Sequence, residues 1–129
     1  MTSAFPPEKA RSALRQVGPV KLVLAHMGGW RCWEQVQELL ADTSALLDTS
    51  FSLGSLTPRD EALPLDRQML SDEAFVSLVR AFGAERILFG SDCPWGSPQN
   101  DLQHIRRLPL TDEEKAAILG GNAKRLLGI

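Results

Sequence analysis

The chain has 129 residues, an apolar fraction of 43% and a formal net charge of −2, the size and balance of one ordinary domain. The mildly acidic balance without a basic run argues against nucleic acid or an anionic membrane as partner, and no apolar stretch approaches the ~18–20 residues that span a bilayer. The N-terminal MTSAFPPEKARSALRQ has no signal-type apolar core, and Cys32 and Cys93 are too few for a disulfide scaffold, so the expectation is a cytoplasmic protein with reduced thiols.

In chain order, residues 4–7 read as a loop, and Pro7 opens a short helix through Gln16 that Gly18–Pro19 ends. Val20–Ala25 reads as a strand, followed by His26 and a turn at Gly28–Gly29. A helix over residues 31–42 follows, with Trp33, Val36, Leu39 and Leu40 on one stripe. Ala45–Thr49 is a second short strand. Ser50–Leu70 carries turn residues without periodicity, and a loop of that length in a small domain often belongs to a binding site. Ser71 then caps a helix whose Phe75, Leu78, Val79 and Phe82 repeat at helical spacing, with Gly83 as its stop. Arg86–Ser91 is a third strand. Ser97–Pro98 has the form of an N-cap with proline at the first helical position. Thr111 and Glu114 have capping-box spacing, and Gly120–Gly121 interrupts that last helix before Asn122–Leu127.

Alternation of helices with apolar runs predicts βαβ units and a parallel sheet, in which ligands gather at the carboxyl ends of the strands. Two such ends carry chemically capable residues: KLVLAHMGG delivers His26, and RILFGSDCPWG delivers Asp92. A closed (β/α)8 barrel needs roughly 200 residues or more, so about three strands are either a small open sheet or part of something larger.

The stretches KLVLAHMGGW, ALLDTS, GAERILFGSDCPWG and ILGGNAKRLLGI, in this order and spacing, resemble the amidohydrolase-related family. These are TIM-barrel metal-dependent hydrolases and decarboxylases, including the aminocarboxymuconate-semialdehyde decarboxylase-like group. The resemblance implies an α/β fold: the C-terminal portion of a TIM (β/α)8 barrel, with the sixth to eighth strands and their flanking helices forming one partial domain over residues 1–129. It implies that Asp92 stands where the family has its eighth-strand metal-binding aspartate, and His26 where it has the sixth-strand histidine acting as acid or base. The family's HxH pair is absent, and His104 matches none of its ligand positions. The implied cofactor is a divalent metal, zinc first and manganese compatible with the same ligands.

Each candidate has a structural alternative. Asp92 ligates metal or takes a proton, or it caps the turn before Pro94. His26 is a proton shuttle or a carbonyl polariser, or simply a core histidine. Asp48 lies near the substrate or hydrogen-bonds the turn after it. Trp30 and Trp95 line a substrate pocket or merely pack. Arg67 pairs with a substrate carboxylate or is solvated. His104 reads as a solvated helix residue and Cys93 as a small buried one, whereas Asn122 and Arg125 read as structural.

Two functions follow. One is a metal-dependent hydrolase of an amide, ester or lactone, or a decarboxylase, working on a small molecule once a missing N-terminal half-barrel or a second copy supplies ligands. The other is a non-catalytic half-barrel remnant or interaction module, whose unpaired strand edge requires a partner.

Overall fold

The computed structural model describes residues 6–53 and 69–129. Within them the three apolar runs pair as one parallel sheet: β1 (Val23–Leu24), β2 (Leu46–Asp48) and β3 (Ile87–Leu88), in that order across the sheet. Leu24 pairs with Leu47, and Leu47 with Ile87, which makes one row of side chains across the sheet. All three are buried. Alternation along the strands puts Val23, Leu46, Asp48 and Leu88 on the other face, where Val23 is exposed and the rest are half-buried. Among the described residues one face of the sheet is therefore buried under the helices and the other is only partly covered.

The strands are shorter than the apolar runs. Pairing adds only Leu46 N–H to Leu22 O and Thr49 N–H to Leu88 O, both at 2.9 Å. At the carboxyl ends the backbone turns away, because His26 and Asp92 both take φ of 57°. A positive φ cannot continue a ladder.

Apart from α2, the helices begin where the sequence signals put them. They are α1 (Pro7–Val17), α2 (Trp33–Leu40), α3 (Asp72–Phe82), α4 (Pro98–Arg107), α5 (Asp112–Ala116) and α6 (Asn122–Leu127). The Ser71, Ser97 and Thr111 side chains accept from the backbone N–H three residues on, and Glu114 completes a capping box with Thr111. A wide turn at Ala117–Gly121 separates α5 from α6. Two residues shorten α2 against expectation. Arg31, with φ of 65°, cannot be helical, and the Thr43 hydroxyl takes the Leu40 carbonyl at 2.6 Å.

The core lies between the sheet and the helices, where Met27, Val36, Leu40, Leu47, Phe75 and Ile87 are fully buried. Arg11 joins α1 to α2 through Asp42 at 2.5 Å and 3.1 Å and through the Leu39 carbonyl. Ser77 and Gln37 join α3 to α2, and Arg80 and Glu114 join α3 to α5. Asn122, 1% exposed, donates to the carbonyls of Ala84 and Ile87 at 2.6 Å and 2.7 Å, so α6 fixes the entry to β3. Arg125 supports it through Asn122 Oδ1 and Glu85 O, each at 3.1 Å. No helix among the described residues is long and apolar enough to cross a membrane.

Candidate active site

His26 leaves β1 in a single tight turn over His26–Gly28, with Met27 also at positive φ. The Gly28 N–H closes onto Ala25 O at 3.1 Å, and the Trp33 indole N–H donates to His26 O at 3.0 Å. The imidazole is half-buried, and its Nδ1 stands 2.8 Å from the Ser50 carbonyl oxygen. A carbonyl only accepts, so a hydrogen bond at this distance calls for the proton on Nδ1, which in the uncharged ring leaves the lone pair on Nε2. That nitrogen is then able to bind a metal or take a proton.

β2 ends between the other two strands, and its last residues reach both. Asp48 Oδ1 accepts the Ser50 N–H at 2.9 Å, the His26 N–H at 3.3 Å, and the Ser50 hydroxyl. The Thr49 hydroxyl donates to Gly90 O at 2.9 Å and accepts from Gly90 N–H at 3.0 Å. Gly90 packs so closely that a Cβ there would sit 3.2 Å from Ser50 Cβ. Asp48 thus touches the turn after it and the start of the His26 turn.

Asp92 lies four residues past the end of β3 rather than at Ser91–Asp92 as a strand terminus, because the paired part of the strand stops at Leu88. Its backbone oxygen gathers the Trp95 N–H at 2.9 Å and the Gly96 N–H at 3.2 Å. That turn puts Cys93 and Trp95 at its tip. Cys93 is exposed, not buried as expected, and Trp95 is 68% exposed. The Asp92 carboxylate is exposed and accepts no side-chain hydrogen bond among the described residues. Behind the turn, the carboxyl of Asp101 lies against Gly96, and burial raises its pKa above the ordinary carboxylate range, opposed by the charge of His104. His104 is not a solitary solvated residue: its Nε2 lies 2.6 Å from Asp72 Oδ1, tying α4 to α3.

Beside His26 stands an aromatic wall. Phe51 meets the His26 ring edge-on at 6.2 Å and the Trp30 ring tilted at 6.1 Å. The Arg31 guanidinium lies 5.9 Å from the Trp30 ring centre. The Trp30 indole N–H is buried, with no hydrogen-bond partner among the described residues. Among the described residues Trp30 therefore reaches His26 only through Phe51, and Trp95 stands out in solvent. Arg67 and most of the loop expected over Ser50–Leu70 lie outside the described residues, as do residues 1–5.

An amidohydrolase family model matches residues 2–129. The chain belongs to the amidohydrolase family. Solved structures agree on the fold. An amidohydrolase from Burkholderia multivorans with bound zinc superposes with a TM-score of 0.71 at 22% identity, over 95% of this chain and 49% of that one. An uncharacterised TIM-barrel protein from Bordetella bronchiseptica gives 0.67 at 21% identity, over 95% and 39%. A dihydroxybenzoic acid decarboxylase from Polaromonas with bound manganese gives 0.61 at 16% identity, over 95% and 38%. No curated protein matches the chain. This amidohydrolase-family chain spans less than half the length of these structures, and its three strands correspond to part of a TIM barrel.

The metal chemistry of the family can be tested against the residues present. His26 Nε2 and the Asp92 carboxylate are donors of the right types. Among the described residues, however, no three His, Cys, Asp or Glu side chains lie close enough together to hold a metal ion. A catalytic zinc takes about three protein ligands, so this set does not complete a site. Sequence reasoning missed Phe51 and the ordering role of Ser50. The run of small polar residues after ALLD was the available signal, because such residues fold back onto strand ends.

Proposed function

We propose that this chain supplies strand-end residues of a divalent-metal hydrolase or decarboxylase acting on a small carbonyl or carboxylate substrate. The observation that carries the reading is the His26 ring, held at Nδ1 by the Ser50 carbonyl so that Nε2 is the reactive nitrogen. In this reading His26 takes a proton at Nε2 and returns it. Asp92, which has no competing side-chain donor among the described residues, accepts from water or binds metal. Trp30 and Phe51 keep water from one side of the imidazole. Zinc is the expected metal and manganese the next, in keeping with the metals in the Burkholderia and Polaromonas structures. The metal would supply an activated water or a polarised carbonyl. Its remaining ligands belong to protein beyond the described residues, on a second copy or a complementary half-barrel.

One observation favours a second reading, an interaction module without activity. Val17, Val20 and Val23 are 67%, 47% and 37% exposed, an apolar strip leading into β1 at the open edge of the sheet. Elemental mass spectrometry of the purified protein after gel filtration separates the two. Near one zinc or manganese per chain, lost in Asp92→Ala, supports the enzyme. Metal near zero, with no rise in melting temperature on adding Zn²⁺ or Mn²⁺, overturns the metal reading and favours the module.

A further inference from the structure

The three donors recorded on Asp48 converge on a single oxygen, and they come from the two residues that define the His26 environment. One is the His26 backbone N–H, which Asp48 Oδ1 at 3.3 Å shares with the Ser50 hydroxyl oxygen at 3.4 Å, at the residue whose φ of 57° needs outside support. The other two are the N–H and hydroxyl of Ser50, whose own carbonyl accepts from the imidazole Nδ1 at 2.8 Å. Ser50 is 8% exposed, so these bonds face little competition from water. Asp48 therefore grips His26 twice, directly at the main chain and through Ser50 at the ring.

We propose that Asp48 is a positioning residue that acts through Ser50 to hold the His26 imidazole in its Nδ1–H form and keep Nε2 available. The inference rests on the reading of His26 as the proton-handling group, but its physical content is a tautomer and a ring orientation. An ordinary strand-end aspartate capping its own turn would hold Ser50 and leave His26 indifferent. The distinguishing contact is the one to His26 N–H, 22 positions away in sequence. Thr49 offers an internal contrast, because its two hydrogen bonds go to Gly90 on the other side of β2.

The test is the ¹⁵N spectrum of the histidine rings in the labelled 129-residue chain, recorded in mildly alkaline buffer. His26 and His104 are the only histidines, and His104→Gln assigns the two. Wild type should show His26 protonated at Nδ1 with a lone-pair shift at Nε2. Asp48→Ala should move the tautomer ratio toward Nε2–H on the order of fivefold, the equilibrium weight of one ordinary hydrogen bond. Asp48→Asn, which retains an acceptor oxygen, should restore the wild-type pattern, and Thr49→Val should leave it unchanged. A wild-type His26 in the Nε2–H form, or an Asp48→Ala ring identical to wild type, overturns the proposal. The wild-type arm decides even if Asp48→Ala does not fold. A correct tautomer in a protein that binds no metal and turns nothing over would instead overturn the proposed function alone.

Discussion

Gly28 is the point where the His26 turn presses on the core, and replacing it with alanine tests the packing of the whole strand end. Gly28 has φ of +91°, and a Cβ there would lie 2.7 Å from Val36 Cγ1, 3.0 Å from Val36 Cγ2 and 3.1 Å from Leu47 Cδ2. Val36 and Leu47 are both fully buried, and a valine on a helix has little χ1 freedom with which to move aside. The left-handed backbone costs about 1–2 kcal/mol for any residue with a Cβ. Overpacking costs about 1–3 kcal/mol more. Loss of glycine flexibility in the unfolded chain returns about 0.4–1 kcal/mol. Gly28→Ala is thus expected to destabilise by roughly 2–4 kcal/mol, a large share of the ~5–15 kcal/mol typical of a domain. Urea unfolding read by Trp fluorescence measures it, with an unchanged m-value as the check on two-state behaviour. Val36→Ala alone costs about 2 kcal/mol for its cavity. In the double variant the clash is gone and the strained φ remains, so the cycle should show a favourable coupling of about 1–2 kcal/mol. A Gly28→Ala cost under ~1 kcal/mol, or a cycle additive within ~0.5 kcal/mol, would refute the packing argument.

Other perturbations follow from the same geometry. Arg86, half-buried, donates to the carbonyls of Ala45 at 2.9 Å, Ala41 at 2.7 Å and Leu40 at 3.2 Å, and its guanidinium lies 4.5 Å from the Phe82 ring centre. Burial lowers its pKa from the ordinary guanidinium value, yet the group stays charged at neutral pH. Arg86→Ala leaves the carbonyls of Ala41 and Ala45, between α2 and β2, without this donor, while Leu40 O keeps Thr43. The substitution should cost about 2–3 kcal/mol in urea unfolding, and a loss under ~1 kcal/mol would show that water replaces the fork. Asp101 has its pKa raised by burial, so as pH rises past 3.8 the unfolded chain gives up its proton first and the folded state loses ground. Asp101→Asn should therefore be the more stable protein at neutral pH, with the difference vanishing below pH 3.8, and a melting-temperature series against pH reads it. Trp30→Phe removes a buried donor without a partner among the described residues, so its melting temperature should equal or exceed that of wild type.

Helix starts were the most legible part of the sequence, because a cap is a local device. Ser71, Ser97 and Thr111 each hydrogen-bond within three residues, and nothing distant competes. The parallel sheet was legible from alternation, and its register was not. Apolar runs such as Val20–Ala25 overstate strand length, since composition says nothing of where a neighbour ends or where φ turns positive. His26 and Asp92 were visible as polar residues after apolar runs. The role of Asp48 was half visible: its bonds to Ser50 are local, but the one to His26 depends on pairing between β1 and β2. Cys93 was misread because a short turn behind Asp92 lifts it out of the sheet layer, and that turn is closed by backbone N–H groups rather than by side chains.

On the proposed reading, strand order separates the positioning of His26 from the supply of ligands. β2 has a neighbour on each side, and its last residues are the ones that reach across, Asp48 and Ser50 to His26 and Thr49 to Gly90, two residues before Asp92. The His26 ring is therefore oriented within these strands, and the backbone leading to Asp92 is tied to the end of β2. A ligand set cannot be completed the same way. Neighbouring strands stand about 4.8 Å apart, so the ends of β1 and β3 are separated by roughly twice that across the sheet. About three donors must meet at ~2 Å from one ion, and donors strung along an arc of three strands do not converge unless others close on them from the opposite side. What completes such a centre needs to bring ligands, because the ring of His26 is already oriented by Ser50.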